Sequence, residues 1–335
     1  MQNQNRRKKM NKESIMIGIF IVICLCLLEQ GLASLENQRN KVYSNNQRPT
    51  IYFCPQDNCS YHLASFIAEA NNSVHCAFFD IKLREVLSSL ADKSGNADVK
   101  LVIDNKNKRG LVEGNVLYDT SEQLSHNKFC VIDRKIVWTG SFNPTERGNT
   151  KNNNNAIVIY SAQLAENYEK EFSELWKGDF GKGEKTKIKV INISGMIVEN
   201  YFCPEDNCAA KVIGEIRNAR ESVYFMTFSF THEGVADALL FLNKSIEIKG
   251  IFEKSQGGSK YSQFRRLEGF GLDVIKDSNP YNMHHKVFII DNKTVITGSF
   301  NPTKSGDLRN DENMLIIHDE RIANRFIEEF VRLWY

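Results

Sequence analysis

Three things are missing from this chain, and each absence narrows what it can be. There is no excess of charge of either sign: 43 Lys and Arg against 41 Asp and Glu leave a formal net charge of +2 over 335 residues. A broad polyelectrolyte-binding surface is thereby disfavoured, and an anionic substrate must be held by a local cluster of cations. There is also no apolar run that reaches a full membrane span of about 20 residues. The stretch Ile15–Leu28 is fourteen residues, follows a basic segment (Arg6, Arg7, Lys8, Lys9, Lys12) and precedes the small-residue triplet Gly31-Leu32-Ala33. It reads as a targeting segment, either a signal peptide cleaved near that triplet or a retained N-terminal anchor that associates the chain with a membrane. In both cases the flanking positive charge stays inside and the remainder crosses. The expected location is extracytoplasmic: secreted or periplasmic after cleavage, membrane-anchored otherwise. Finally, no histidine cluster lies near the paired cysteines Cys54-x4-Cys59 and Cys203-x4-Cys208. In an exported chain these pairs read as two local disulfides rather than a zinc site. Cys76 and Cys130 sit inside apolar runs; the default expectation is two buried free thiols, with a bridge between them as the alternative.

What the chain does contain is one unit written twice. Tyr52-Phe53-Cys54-Pro55-Gln56-Asp57-Asn58-Cys59 returns as Tyr201-Phe202-Cys203-Pro204-Glu205-Asp206-Asn207-Cys208, an offset of 149. The offset then becomes 158, and Thr139-Gly140-Ser141-Phe142-Asn143-Pro144-Thr145 matches Thr297-Gly298-Ser299-Phe300-Asn301-Pro302-Thr303. The chain length suits two domains of ordinary size. The expected division is 1–40 for targeting segment and spacer, 41–180 for the first domain, 181–195 for a linker, and 196–335 for the second. Within each unit, hydrophobic periods of two and 3.6 alternate. In the second copy they predict helices over 209–219, 235–242, around 261–267 and 320–333, and strands over 223–228, 246–252, 272–275, 286–290, 294–296 and 314–317. The first copy ends in a helix over 162–176 and lacks the nine residues that build the helix near Tyr261. Such an order implies an α/β fold, each domain a mixed sheet flanked by helices, packed with its copy as a pseudo-twofold dimer inside one monomer.

The repeated residues include a set able to carry chemistry. Each copy has His-x-Lys-x4-Asp followed by Gly-Ser-x-Asn: His126, Lys128, Asp133, Gly140, Ser141, Asn143, and His284, Lys286, Asp291, Gly298, Ser299, Asn301. Asn155 and Asn313 complete the match. On a strand, side chains two positions apart share a face, so each imidazole converges with an ammonium. Asp133 and Asp291 follow four apolar residues and open turn-like segments, so a structural role is expected for them. Ser and Asn at a strand end are ordinary turn formers, and only their repetition at identical spacing marks them as site residues.

These motifs resemble those of the phospholipase D superfamily, the HKD phosphodiesterases, over nearly all of residues 50–335. The phrase Phe-Cys-Pro before a helix and Thr-Gly-Ser-Phe-Asn most resemble its small endonuclease branch, whose single-motif members dimerise. The resemblance implies one active site between the copies. There one of His126 and His284 attacks phosphorus to give a phosphohistidine, while the other protonates the leaving oxygen and then activates water. Lys128, Lys286, Asn143 and Asn301, with Ser141 and Ser299 in support, would hold the nonbridging oxygens, so no metal or other cofactor is required. Where that branch carries a glutamate that orients the imidazole, the second copy has Glu312 and the first has Asn154. The expectation drawn from this difference is that His284 is the more basic histidine. The implied substrate is a phosphodiester, single-stranded nucleic acid first and phospholipid second. Lys106, Lys108, Arg109, Lys254, Lys260, Arg265 and Arg266 are candidate backbone-tracking cations. The Asn-x-Ser/Thr sequences at Asn192 and Asn243 carry no assignment.

Overall fold

The structure is a computed structural model that describes residues 48–108, 115–242 and 245–335. The targeting segment with Cys24 and Cys26, together with Arg109 and Asn243, lies outside the described residues. The chain from residue 48 onward carries two mixed sheets. The first contains β1 (Thr50–Cys54), β2 (Ser73–Phe78), β3 (Asp98–Ile103), β4 (Val116–Tyr118), β5 (Lys128–Ile132), β6 (Ile136–Gly140) and β7 (Asn154–Tyr160), in the order β1-β7-β6-β5-β2-β3-β4. The second contains β8 (Val190–Ile193), β9 (Met196–Cys203), β10 (Ser222–Thr227), β11 (Glu247–Phe252), β12 (Asp273–Lys276), β13 (Lys286–Ile290), β14 (Thr294–Gly298) and β15 (Glu312–His318), in the order β12-β11-β10-β13-β14-β15-β9-β8.

The sequence pattern explains which face goes where. Along β5, Phe129 and Val131 face a core shared with the other sheet, while Cys130 and Ile132 face the outer helices. The shared core also takes the C-terminal helix of each half, Ala162–Lys177 and Glu320–Trp334. In the latter, Ile322, Ala323, Phe326 and Phe330 recur at helical spacing and are buried, and Asp319 caps the N-terminus by accepting from the amides of Arg321 and Ile322. Each helix reaches across to the other half: Phe326 meets Phe53 of β1 edge-on at 5.2 Å, and Tyr168 meets Phe202 of β9 at 5.0 Å. Packing of this kind joins the halves through their cores rather than through a surface contact.

Most expected elements appear within a residue or two, with three differences. Residues 190–203, partly assigned to the linker on sequence, form the hairpin β8–β9. Its alternating burial is the mark of a half-covered edge, and Ser194-Gly195, both at positive φ, make the two-residue turn. The helix expected near Tyr261 begins at Phe264, preceded by a short turn of helix at Lys254–Gly257. Cys76 and Cys130 are not free thiols. They face each other directly in the antiparallel β2–β5 register, with Cα atoms 4.0 Å apart, and are bridged. The pairs Cys54–Cys59 and Cys203–Cys208 are bridged as their spacing suggests.

Asp133 and Asp291 lie at the far end of β5 and β13 from the lysines, roughly 17 Å along an extended strand. Asp133 accepts from the backbone amides of Asn71, Asn72 and Ser73 at 2.9, 2.6 and 3.0 Å. Asp291 does the same for Arg220, Glu221 and Ser222 at 2.9, 2.7 and 3.0 Å. Burial alone would raise both carboxyls, but the amide bonds outweigh it and hold them below the usual range. Replacing either by alanine is expected to cost about 1–2 kcal/mol of stability in urea unfolding at neutral pH, because three amides lose a charged acceptor. A depressed carboxyl contributes above its unfolded value near 4, and that contribution is lost as pH falls through the folded pKa. The deficit of the alanine variants should therefore shrink toward pH 3. A deficit that stays constant down to that pH contradicts the assignment.

Candidate active site

The site lies where the two sheets present the same strand ends to each other. β2 and β3 run parallel, as do β10 and β11, and their C-terminal ends meet the start of β5 and β13: Phe78 pairs with Lys128, and Thr227 with Lys286. Loops at such ends commonly form the binding crevice of open sheets. Here two sets of them close on one another.

A chain of contacts related by the 158-residue offset holds them together. The amide of His126 donates to the Asp311 carbonyl at 2.9 Å, and that of His284 to the Asn153 carbonyl at 2.8 Å. Thr139 Oγ1 donates to Asn313 Oδ1 at 2.5 Å, and Asn155 Nδ2 donates to Thr297 Oγ1 at 2.7 Å. Asn127 and His285, the residues between histidine and lysine, point the other way, toward Glu171 at 3.1 Å and Glu329 at 3.0 Å. Asn155 and Asn313 are thus staples between the halves. The glycine of Gly-Ser-x-Asn has a steric reason as well: Gly140 and Gly298 sit at φ +143° and +144°, where a Cβ would collide with the carbonyl of Asn155 or Asn313.

Both histidines and both lysines are buried here. Each ammonium donates to the carbonyl of its own histidine, Lys128 at 2.6 Å and Lys286 at 2.8 Å. Sequence reasoning missed Phe79 and Phe228, which follow β2 and β10 at the 149-residue offset. Each ring lies edge-on to a histidine, at 5.2 and 4.7 Å, and under a lysine ammonium, at 5.3 and 4.9 Å. An aromatic repeated at that offset just beyond a strand end was the available signal.

The orienting residues are crossed. Glu312 Oε2 sits 2.7 Å from Nδ1 of His126, not of His284. Asn154 Oδ1 sits 2.8 Å from Nδ1 of His284, which also faces the Ser141 carbonyl at 3.1 Å. The expectation that His284 is the more basic partner therefore rested on the wrong pairing, since the strand that carries Glu312 delivers it across the pseudo-twofold axis. The serines act through these residues. Ser299 Oγ donates to Glu312 at 2.7 Å, and Ser141 Oγ lies between Asn154 Oδ1 at 3.4 Å and Asn155 Oδ1 at 3.2 Å. Asn301 Oδ1 accepts from the Ser229 amide at 3.3 Å, whereas Asn143 Oδ1 is buried with no partner among the described residues.

Electrostatics follow from burial. Burial, then mutual repulsion, pushes Lys286 well below its ordinary value; burial pushes Lys128 down to about 7 against the pull of Glu312, Asp104 and Asp80. Burial and then the two lysines hold both histidines well below the usual imidazole range. Burial lifts Glu312 to about 8 although both lysines oppose it. Two ammonium groups and one carboxylate leave the fully charged site one unit positive, the deficit that a phosphodiester monoanion fills.

Two measurements follow. In an NMR titration, Glu312→Gln is expected to lower the pKa of His126 while that of His284 changes little, because only His126 loses a carboxylate from Nδ1; a larger change at His284 refutes the crossed pairing. Lys286→Met removes one repelling buried charge, so it should raise the melting temperature, by roughly 2–4 °C per kcal/mol gained at this size, while turnover is lost. A lower melting temperature would show that the lysine stabilises the empty site.

Comparison with known proteins finds the same repeat. The family model described as cardiolipin synthase, PLD-like domain, matches residues 63–176 and again residues 212–334. A phospholipase D of Rickettsia felis is 33% identical over 149 residues, which cover 43% of this chain and 74% of the relative. A mitochondrial cardiolipin hydrolase of Xenopus laevis is 31% identical over 136 residues, 39% of this chain and 65% of the relative. The crystal structure of phosphatidylserine synthase from Haemophilus influenzae matches 88% of this chain and 90% of its own with a TM-score of 0.66; at 12% identity this likeness concerns the fold. With the family model matched twice along most of its length, the chain belongs to the phospholipase D superfamily of phosphodiesterases, as two copies of the family's unit fused in one polypeptide.

Proposed function

We propose that this phosphodiesterase hydrolyses single-stranded nucleic acid outside the cytoplasm, without a metal, through a phosphohistidine on His126. The carboxylate of Glu312 on Nδ1 holds the proton there and leaves the Nε2 lone pair of His126 free to attack phosphorus. As the N–P bond forms, the P–O bond to the leaving group breaks, and His284 gives that oxygen its proton. His284 then takes a proton from water, the water oxygen attacks phosphorus, and the N–P bond breaks to release His126. Lys128 and Lys286 supply the positive charge that the phosphoryl oxygens require, the task a metal performs in other phosphodiesterases. Export is supported by the three disulfides, which fit an oxidising compartment.

The observation that carries the substrate class is the rim. Two exposed aromatic rings on the loops at the site end of the second sheet each lie beside a cation: Tyr261 under Lys260 at 4.9 Å, and Tyr281 under Lys151 at 4.8 Å. Rings for bases and ammonium groups for the backbone are what a single strand needs. Phospholipid hydrolysis is the second reading, favoured by the names of the Rickettsia and Xenopus relatives.

The protein, offered single-stranded DNA, RNA, phosphatidylcholine and cardiolipin side by side in EDTA, is expected to cleave the nucleic acids. His126→Ala and His284→Ala should each lose roughly four powers of ten in rate. Cleavage of lipid alone overturns the substrate, and full activity of either variant overturns the mechanism. Two groups set the pH profile. Lys128, lowered to about 7, loses its proton as pH rises and with it the charge that holds phosphate. Glu312, lifted to about 8, gains over the same range the carboxylate that orients His126. kcat/KM should therefore pass through a maximum between about pH 7 and 8 and fall on either side. A profile that keeps rising to pH 9 excludes a lysine of this kind from binding.

A further inference from the structure

The two rims of the site are unequal, and we propose that only one of them holds the substrate chain, with Tyr281 as its stacking platform and Lys151 and Arg147 as its phosphate contacts. This rests on the nucleic-acid reading above and adds a side to it.

Tyr281 stands three residues before His284 and is 40% exposed. Two cations from the other half lie against it, Lys151 at 4.8 Å and Arg147 at 5.9 Å from the ring centre. The loop is fixed rather than loose. Asn279 Nδ2 donates to Asn153 Oδ1 at 2.6 Å and to the Lys151 carbonyl at 3.0 Å, and the Asn282 amide donates to Asn152 Oδ1 at 3.3 Å. A platform three residues from a catalytic histidine, tied to the strand that carries Asn154, is held in register with the reacting phosphate. Arg147 also lines a surface pocket of about 610 Å³ in which Asp80, Glu85 and Glu146 balance Lys82, Arg84 and Arg147, so the cationic contact is confined to the ring.

The rim related by the pseudo-twofold axis has neither the residues nor the space. Gln123 stands where Tyr281 would be, Ser305 where Arg147 would be, and Arg309 replaces Lys151. The segment that joins the two halves packs there: the Gly181 amide donates to Asp311 Oδ1 at 2.8 Å, and Phe180 is buried in the shared core. Gly181 lies so close that a Cβ on it would be 3.0 Å from the Arg309 carbonyl and 3.4 Å from Gln123 Cγ. A dimer of single units would present two equivalent rims, but fusion has roofed one with its own connection. The nucleotide next to the scissile phosphate is then read on one side only, its base on Tyr281 and its phosphate beside Lys151 and Arg147.

Steady-state cleavage of a single-stranded oligonucleotide tests this. Tyr281→Ala is expected to raise KM about ten-fold with kcat within about two-fold, Tyr281→Phe to restore KM, and Gln123→Ala to leave both unchanged. Lys151→Gln should reduce the slope of log KM against log salt by about 0.7, and Arg309→Gln should not. Melting curves of each variant confirm that it is folded. If Gln123→Ala matches Tyr281→Ala, or if Tyr281→Ala leaves KM unchanged in an enzyme that cleaves the oligonucleotide, the one-sided rim is wrong and the nucleic-acid reading stands. If the unaltered protein cleaves lipid and not the oligonucleotide, the substrate reading falls and this inference with it.

Discussion

Two ammonium groups buried in each other's field are the constraint on which the rest of the structure depends. Burial costs a charged lysine several kcal/mol, and a second lysine nearby adds repulsion rather than relief. The downward shifts of Lys128 and Lys286 record that cost. A fold that tolerates it must hold the pair rigidly from outside the site. Each lysine is accordingly fixed at the first position of a central strand, donates to a backbone carbonyl, and rests on an aromatic face. Buried glutamate supplies one negative charge, and the arriving phosphodiester supplies the other. The empty site is unstable in the sense that makes it bind: what destabilises it is removed by the substrate.

Rigid placement explains why the halves are interlocked and not merely adjacent. If each half had supplied its own orienting residue, each histidine would have been held in place within its own half, and only the meeting of the two would have required the other. Crossing Glu312 to His126 and Asn154 to His284 makes each histidine depend on the other half. The staples formed by Asn155 and Asn313, and the two helices that reach across the shared core, oppose any change in the separation between the lysines.

Much of this was legible in the sequence because repetition is a strong signal. One unit written twice, with His, Lys, Gly, Ser and Asn at fixed spacings, determined the fold class and the residues brought together. What the sequence could not carry was which partner crosses. Spacing along a chain places Glu312 twenty-eight residues after His284, and only the packing of β15 against the other half shows that it serves His126. The Cys76–Cys130 bridge was hidden for a related reason. Two cysteines in separate apolar runs become a pair only once β2 and β5 are known to be neighbours in a given register. The β8–β9 hairpin, by contrast, was readable in its alternation and its Ser-Gly turn, but it was masked by the lysine-rich connection before it.

Fusion also changes what such a site can become. In a symmetric dimer, every substitution appears on both sides of the axis, so the two histidines must remain alike even though one attacks and the other donates a proton. Once the copies share a chain, a carboxylate can stand beside one histidine and an amide beside the other. Glu312 and Asn154 are that divergence, and on it rests the proposal that His126 is the histidine that attacks. The rims have diverged in parallel: nine extra residues build out the second half, and the connection covers the flank at Gly181. Under the proposed mechanism, a site with one attacking histidine and one open flank has a direction, because the leaving group departs on the side of His284. Asymmetry of chemistry and asymmetry of access are then one property, and both follow from joining two copies of the same unit end to end.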